Sequence, residues 1–143
     1  MDTETTRAVV KRYDEELYGG GRLEVADQIL TEDFVCYGPA AGIRGPEAFK
    51  GFVQMMRTAF PDLRFETQAI IADGAKVGRL ATMRGTHLGP MRDIPPSGKS
   101  VAIPRIDTFR FEGDRIAEVQ AFLDHQTFFA ELREGSSVAA APA

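Results

Sequence analysis

The apolar residues of this 143-residue chain change their spacing at Pro61, and this change constrains the fold more than any other feature of the sequence. Before Pro61 they recur every three or four positions, which predicts amphipathic helices. After Pro61 they alternate with polar residues, which predicts half-buried strands. Helices followed by consecutive antiparallel strands indicate an α+β fold.

Three helices are predicted before Pro61. The first ends at glycines 19–21 and carries apolar residues at helical spacing, namely Val9, Val10, Tyr13 and Leu17. The second is short and carries Val25, Ala26, Ile29 and Leu30. The third begins at Pro46, because a proline in the first helical position loses no hydrogen bond. Its apolar side consists of Phe49, Phe52, Val53, Met56 and Phe60.

Four strands and a last helix are predicted after Pro61. The first strand has one face formed by Leu63, Phe65, Thr67, Ala69 and Ile71. Asp73 and Gly74 predict a hairpin into a second strand over 76–86, and the proline-rich stretch 90–100 predicts a loop. The third strand has one face formed by Val101, Ile103, Arg105, Asp107, Phe109 and Phe111. The fourth spans 116–123, and Asp124 then caps a helix that carries Phe128, Phe129 and Leu132.

Composition restricts the classes of function. Hydrophobic residues make up 43% and the net charge is -4, so we expect one domain over residues 1–134 and no nucleic-acid partner. Residues 135–143 are small and predict a disordered tail. No apolar run approaches the roughly 20 residues that span a membrane, and the polar start of the chain is unlike a signal peptide, so we expect a cytoplasmic protein. A single cysteine and two histidines predict neither a disulfide nor a metal site.

Several motifs resemble the SnoaL-like polyketide cyclase family. They are FPDL at 60–63, RGTH at 84–87, GP at 89–90, IPPSGK at 94–99 and IDTFRF at 106–111. The resemblance reaches Leu132 and implies a cone-shaped α+β barrel, as in ketosteroid isomerase and scytalone dehydratase, in which a curved antiparallel sheet wraps around the helices and encloses an apolar pocket. It also implies a homodimer formed through the sheet. The activity that it implies is intramolecular aldol closure of a polyketide ester, with neither metal nor cofactor.

The catalytic aspartate that the resemblance implies is missing. The cyclases carry it on the last strand, five residues after the isoleucine that follows the hairpin turn; here that isoleucine is Ile116 and the matching residue is Ala121. On the preceding strand the family has a histidine where this chain has Asp107. The hairpin at 112–114 predicts that Asp107 lies opposite Ala121, so one pocket carboxylate is exchanged for another.

Asp107 is therefore the predicted proton carrier, and Arg105 is predicted to stabilise negative charge on a substrate oxygen. A carboxylate among apolar neighbours is expected to have a raised pKa, which suits proton transfer near neutral pH. The alternative is that Asp107 is only the ion-pair partner of Arg105, on the same face of the strand.

Other activities remain open. Arg105 and Asp107 resemble part of the site of limonene-type epoxide hydrolases, which needs a second aspartate; Asp124 is the nearest, but its position suits a helix cap. A third hypothesis is a protein that binds a small ligand without turnover, and a helper role in hydroxylation also exists among relatives of the family.

The predicted ligand is a small hydrophobic or aromatic molecule. The residues predicted to contact it are Cys36, Tyr37, Met83, His87, Ala121 and Leu123. Cys36 is expected as an apolar wall residue and Tyr37 as a hydroxyl donor. His87 lies before a glycine–proline loop, where it either donates to a substrate carbonyl or stabilises the loop. Met83 and Met91 are predicted at the pocket entrance, and His125 on the exposed surface.

Overall fold

The computed structural model describes residues 3–38 and 42–134, so the predicted tail at 135–143 lies outside the described residues. The helices are α1 (Thr3–Arg12), which continues into a π-helical segment (Tyr13–Tyr18), α2 (Glu24–Ile29), α3 (Pro46–Ala59) and α4 (His125–Glu134). The strands are β1 (Leu30–Tyr37), β2 (Ile43–Arg44), β3 (Arg64–Asp73), β4 (Lys76–Thr86), β5 (Ser100–Glu112) and β6 (Arg115–Leu123). None of the described helices is long and apolar enough to cross a membrane.

The strands form one curved sheet in the order β2-β1-β6-β5-β4-β3, and the sheet is not closed into a complete barrel. The α+β class and the four strands after Pro61 are confirmed. Two strands before Pro61 were not predicted. Leu30 begins β1 instead of ending the second helix, and β1 pairs in parallel with β6, so the sheet is mixed and not wholly antiparallel.

The π-helical segment brings four side chains into the interior. The backbone N–H of Gly19 donates to the carbonyl of Asp14 at 2.9 Å, which closes a wider turn than that of an α-helix. Tyr13, Asp14, Leu17 and Tyr18 are all buried there. Arg57 of α3 donates to the carbonyls of Tyr18 and Gly19, both at 2.8 Å, and so satisfies the end of the segment.

The predicted inward face of β3 is wrong beyond Thr67. A β-bulge separates Thr67 from Ala69, which leaves one additional residue without a partner on β4. An additional residue reverses the side-chain alternation that follows it. Ile71 is consequently 64% exposed, whereas Ile70 and Ala72 pack against the core.

The core lies between the helices and the concave face of the sheet. Tyr13 packs edge-on against Phe109 of β5 with ring centroids 5.1 Å apart, and Phe49 of α3 packs edge-on against Phe34 of β1, also at 5.1 Å. The rings fill the space on one side and leave a cavity on the other, next to α4.

Candidate functional site

A cavity of about 260 Å³ opens between the sheet, α3, α4 and the turn at 91–94. Most of its wall is apolar, and the aromatic part consists of Tyr18, Phe52, Phe128 and Phe129. All four methionines that follow Met1 also line it, namely Met55, Met56, Met83 and Met91. Methionine side chains are flexible and polarisable, so this wall can adapt its shape to a flat apolar ligand.

Three residues with basic side chains line the cavity: Arg92, Arg105 and His125. Arg105 comes from the inward face of β5, and only 10% of its side chain is exposed. None of the described residues that line the cavity is acidic. The cavity is thus an apolar space with cationic groups on its wall.

Arg105 is the last member of a chain of four buried charged side chains, and its neighbour in that chain holds it in place. Arg105 donates from Nε and Nη2 to the two carboxylate oxygens of Asp107, both at 2.9 Å. The Oδ2 of Asp107 also accepts a hydrogen bond from Nη1 of Arg79 on β4. Arg79 in turn donates from Nε and Nη2 to Asp14, at 3.0 and 2.8 Å. The order Asp14–Arg79–Asp107–Arg105 therefore runs from the π-helical segment across the sheet to the cavity.

The strand register creates this chain of charges. Asp107 lies directly opposite Ala121 of β6, as predicted, and opposite Arg79 of β4. Phe65 of β3 covers the two cations, with its ring centroid 4.8 Å from the Arg79 guanidinium and 5.2 Å from that of Arg105. Such aromatic contacts stabilise cations that have been removed from water.

The expected raised pKa of Asp107 is wrong. Burial alone would raise it, but the charges and hydrogen bonds of Arg105 and Arg79 outweigh burial and hold the pKa below its usual value. Asp107 is therefore a stable carboxylate at neutral pH. At Asp14 the balance is reversed, because burial raises the pKa by more than its one cationic partner, Arg79, lowers it.

The side chain of Asp107 is fully buried behind Arg105, and it does not line the cavity. The contacts of Asp107 therefore agree with the alternative prediction, in which Asp107 is the ion-pair partner of Arg105. Burial disfavours the charge of Arg105, but Asp107 outweighs burial and keeps the pKa of Arg105 above its usual value. The Nη1 of Arg105 lies 3.6 Å from the sulfur of Met83, a weak acceptor that leaves this nitrogen able to bind a ligand oxygen.

Tyr18 and His125 add two polar groups to the cavity wall. Burial raises the pKa of Tyr18, so its phenol stays protonated and can donate a hydrogen bond. Burial and the charge of Arg105 lower the pKa of His125, which keeps its imidazole neutral at pH 7. The predicted surface position of His125 is wrong, because the first turn of α4 packs over the cavity and leaves its side chain half-buried.

Four of the predicted ligand contacts lie on the cavity wall, namely Cys36, Met83, Ala121 and Leu123. Burial raises the pKa of Cys36 to about 12, so it is a neutral wall residue. Tyr37, the next residue of β1, points away from the core and is 40% exposed. It does not line the cavity, because successive side chains of a strand point to opposite faces.

His87 also lies away from the cavity. Its ring is fully buried, and its Nδ1 accepts a hydrogen bond from the backbone N–H of Ser97. The backbone N–H of His87 also donates a hydrogen bond to the carbonyl of Lys99, and the carbonyl of His87 accepts one from the N–H of Gly98. These contacts agree with the alternative prediction, in which His87 stabilises the loop.

The sequence reasoning missed Arg79 and Asp14, although both carry a signal. Arg79 shares the buried face of β4 with Val77, Ala81 and Met83, where a charged residue needs a partner. Asp14 shares the buried side of the first helical segment with Val10 and Leu17. Each of these two charged residues interrupts an otherwise apolar pattern, and this could have indicated that Arg79 and Asp14 form a buried ion pair.

Asp124 caps α4, as predicted, because its carboxylate accepts a hydrogen bond of 3.0 Å from the backbone N–H of Thr127. The aspartate that Arg79 joins to Asp107 is instead Asp14. Neither carboxylate lines the cavity. Within residues 3–38 and 42–134, no group of three or more histidine, cysteine or acidic side chains could hold a metal ion.

The curved sheet, the covering helices and the apolar cavity define the class of small α+β proteins with a ketosteroid isomerase-like fold. The sequence model of the SnoaL-like polyketide cyclase family matches residues 7–132, and the chain belongs to this family. No curated protein matches the chain in sequence.

Solved structures with the same fold are numerous. One is a candidate SnoaL-like polyketide cyclase from Jannaschia sp. CCS1, which is 22% identical, with a TM-score of 0.85 over 97% of this chain and 94% of that chain. IdmH, a candidate polyketide cyclase from Streptomyces antibioticus, is 25% identical, with a TM-score of 0.75 over 89% of this chain and 97% of that chain. AclR, a candidate hydroxylase from Streptomyces galilaeus, is 19% identical, with a TM-score of 0.79 over 92% and 97%.

Proposed function

We propose that this protein is an enzyme that removes a proton from the carbon next to a carbonyl group of a small, flat, apolar molecule, as the first half of an aldol-type ring closure. The single observation that carries the proposal is Arg105, a buried cation that Asp107 fixes on the wall of an otherwise apolar cavity. Membership of the SnoaL-like polyketide cyclase family supports the substrate class.

Arg105 and Tyr18 are the groups that would bind the carbonyl oxygen. When the C–H bond breaks, its electron pair moves onto that oxygen, and a fixed cation and a phenol donor both stabilise the resulting enolate. Their hydrogen bonds strengthen as charge develops on the oxygen, which lowers the barrier to the step. Because the cavity is apolar, these interactions are stronger than they would be in water.

His125 is the group that would take the proton. Its imidazole is neutral at pH 7, since burial and Arg105 lower its pKa, so it has a free lone pair for a proton. After the enolate attacks a second carbonyl and a carbon–carbon bond forms, the imidazolium returns the proton to the new alkoxide. Asp107 then acts as a positioning residue for Arg105 and not as the proton carrier.

Deuterium exchange tests this step with a defined probe, methyl 6-acetyl-2-naphthoate, whose acetyl hydrogens lie next to a ketone. The wild-type protein in D₂O should accelerate deuteration of the acetyl group, as measured by NMR. Arg105→Gln, Tyr18→Phe and His125→Gln should each slow it. Tyr37→Phe is the matched control for Tyr18→Phe and should keep the wild-type rate, because Tyr37 lies outside the cavity. Equal rates in the wild-type protein and His125→Gln would contradict the proposal.

A binding protein without turnover is the second candidate, and Ala121 favours it. This methyl group lines the cavity at the position where the resemblance implies the cyclases' catalytic aspartate. The same experiment decides between the two candidates. Binding of the probe that depends on Arg105, with no acceleration of exchange in the wild-type protein, would support the binding function.

We also propose that the protein is a homodimer formed through the convex face of the sheet. Leu80, Ile106 and Phe122 lie side by side on β4, β5 and β6 and are 37%, 44% and 54% exposed. A continuous row of exposed apolar side chains across three strands is typical of a surface that a second copy covers.

A further inference from the structure

Arg92 is the second arginine on the cavity wall, and its surroundings differ from those of Arg105. It lies in the turn at 91–94, which closes with two backbone hydrogen bonds of 2.9 Å between Met91 and Ile94. The side chains of Met91 and Ile94 are buried and anchor the turn, whereas Arg92 is exposed. Arg92 is therefore the cation at the solvent-facing part of the cavity.

The backbone of Arg92 is strained. Its φ is +55°, and among the described residues it is the one non-glycine residue with a positive φ. Glycine adopts this conformation at little cost, whereas a side chain with a Cβ does not. Strain of this kind persists mainly at sites where it serves a function. An arginine in a position that suits glycine indicates that the guanidinium is useful there.

The charge of Arg92 has no acidic partner among the described residues. Its neighbour Asp93 lies 3.6 Å from Arg133 of α4 instead. The Arg92 guanidinium lies 5.3 Å from the ring centroid of Phe129, which also lines the cavity. The contact holds the cation beside the cavity and leaves its N–H groups able to bind an anion.

We infer that Arg92 is a specificity-determining residue that binds a carboxylate group of the substrate, so that the protein prefers a free acid to its ester. The inference rests on the proposed function, since it names the substrate class of the same cavity. The substrate would then have three parts: a ketone oxygen at Arg105, a flat apolar body against the methionine and phenylalanine side chains, and an anionic group at Arg92. Arginine suits the last role because its planar fork can donate two parallel hydrogen bonds to a carboxylate.

Titration calorimetry with 6-acetyl-2-naphthoate and its methyl ester tests the inference. The wild-type protein should bind the acid roughly tenfold more tightly than the ester, as expected for one charge-assisted hydrogen-bonded contact. Arg92→Gln should bind the two probes equally, with its affinity for the ester unchanged. Arg133→Gln is the matched control and should keep the preference, because this second arginine near Phe129 is not on the cavity wall.

Arg92→Gly separates binding from folding. It removes the guanidinium and relieves the positive φ, so its thermal unfolding midpoint should equal or exceed that of the wild-type protein while the preference for the acid is lost. Equal affinity of the wild-type protein for the acid and the ester would overturn the inference, and so would a preference that survives in Arg92→Gln.

Failure of this inference can be distinguished from failure of the proposed function. Deuteration of the ester that depends on His125, without any preference for the acid, would contradict the role of Arg92 alone. A preference that depends on Arg92, without accelerated deuteration, would contradict the enzymatic function alone and leave an acid-binding site. Failure of both probes to bind would contradict both.

Discussion

Arg105 donates two parallel hydrogen bonds of 2.9 Å to Asp107, its neighbour two positions along β5. Side chains at this spacing lie on the same face of a strand, so the pair needs no loop to bring it together. The fork of the guanidinium matches the two carboxylate oxygens and fixes the plane of Arg105. A cation that would otherwise sample several rotamers is therefore held in one orientation beside the cavity.

Removal of the Asp107 charge should destabilise the protein strongly. In Asp107→Asn two buried arginines lose a partner, and breaking a buried ion pair costs roughly 3–5 kcal/mol of the free energy of unfolding. Asp14→Asn should cost less, because Asp14 pairs with Arg79 alone. Urea unfolding measures both. Glu112→Gln, which removes an exposed partner of Arg110, is the control and should change the free energy by at most about 1 kcal/mol. A loss in Asp107→Asn no larger than the control's would contradict the account of the buried charges.

The stabilising effect of Asp107 should disappear in acid. Because its pKa in the folded protein is lowered, its carboxylate stabilises the fold at pH values above the usual aspartate pKa. The stabilisation is lost as the pH falls through the lowered pKa, where the folded protein must also take up the proton. The difference in free energy of unfolding between the wild-type protein and Asp107→Asn should therefore shrink as the pH is lowered from about 5 toward about 3. A difference that stays constant over this range would show that the carboxylate charge is not what stabilises the fold.

Much of the fold could be predicted because the periodic spacing of apolar residues differs between helices and strands. The alternation of β5 and the turn at 112–114 were sufficient to place Asp107 opposite Ala121, and Pro46 to place the start of α3. The side-chain reversal in β3 could not be predicted. Gln68 is the residue without a partner at the bulge, and neither a glycine nor any other local signal in the sequence marks a bulge there. The short strand β2 was missed for a similar reason, because two residues are too few for a pattern.

The site was harder to predict than the fold because its groups come from distant parts of the chain. Arg105 and Asp107 are neighbours on one strand and were found, but Arg79 lies 28 residues from Asp107 and Asp14 lies 65 residues from Arg79. Sequence reasoning correctly found the apolar setting of Asp107 but not the second arginine that lowers its pKa. His125 was assigned to the surface because nothing local in the sequence shows that α4 packs over the cavity.

The rate of deuterium exchange should depend on pH through His125. Only the neutral imidazole accepts a proton, so the enzymatic rate should fall as the pH falls through the pKa of His125 and should be level above it. Burial and Arg105 place that pKa below its usual value of 6.5, so the rate at pH 7 should already be maximal. NMR measurement of the rate, after subtraction of the uncatalysed reaction, gives the profile. An unchanged profile in His125→Gln would rule out His125 as the base.

The proposed dimer should depend on the apolar row of the convex face. Ile106 lies at the centre of the row, between Leu80 and Phe122, so Ile106→Glu would place two buried charges in a symmetric interface. We expect sedimentation to show a dimer for the wild-type protein and a monomer for this variant. Leu88→Glu, at a residue that is 59% exposed outside the row, should remain dimeric. A monomeric wild-type protein would contradict the interface.

Restoring the carboxylate that the family resemblance implies should accelerate proton transfer. Ala121 lines the cavity and pairs directly with Asp107 across β5 and β6, so Ala121→Asp would add a carboxylate on the wall beside Arg105. This carboxylate would lie on an apolar wall and could accept a proton from a bound ligand. Deuteration of methyl 6-acetyl-2-naphthoate should increase roughly 100-fold, the lower end of general-base effects. Ala121→Asn has nearly the same size without the charge and should show no increase; a similar rate in both variants would mean that the position does not reach the reacting carbon.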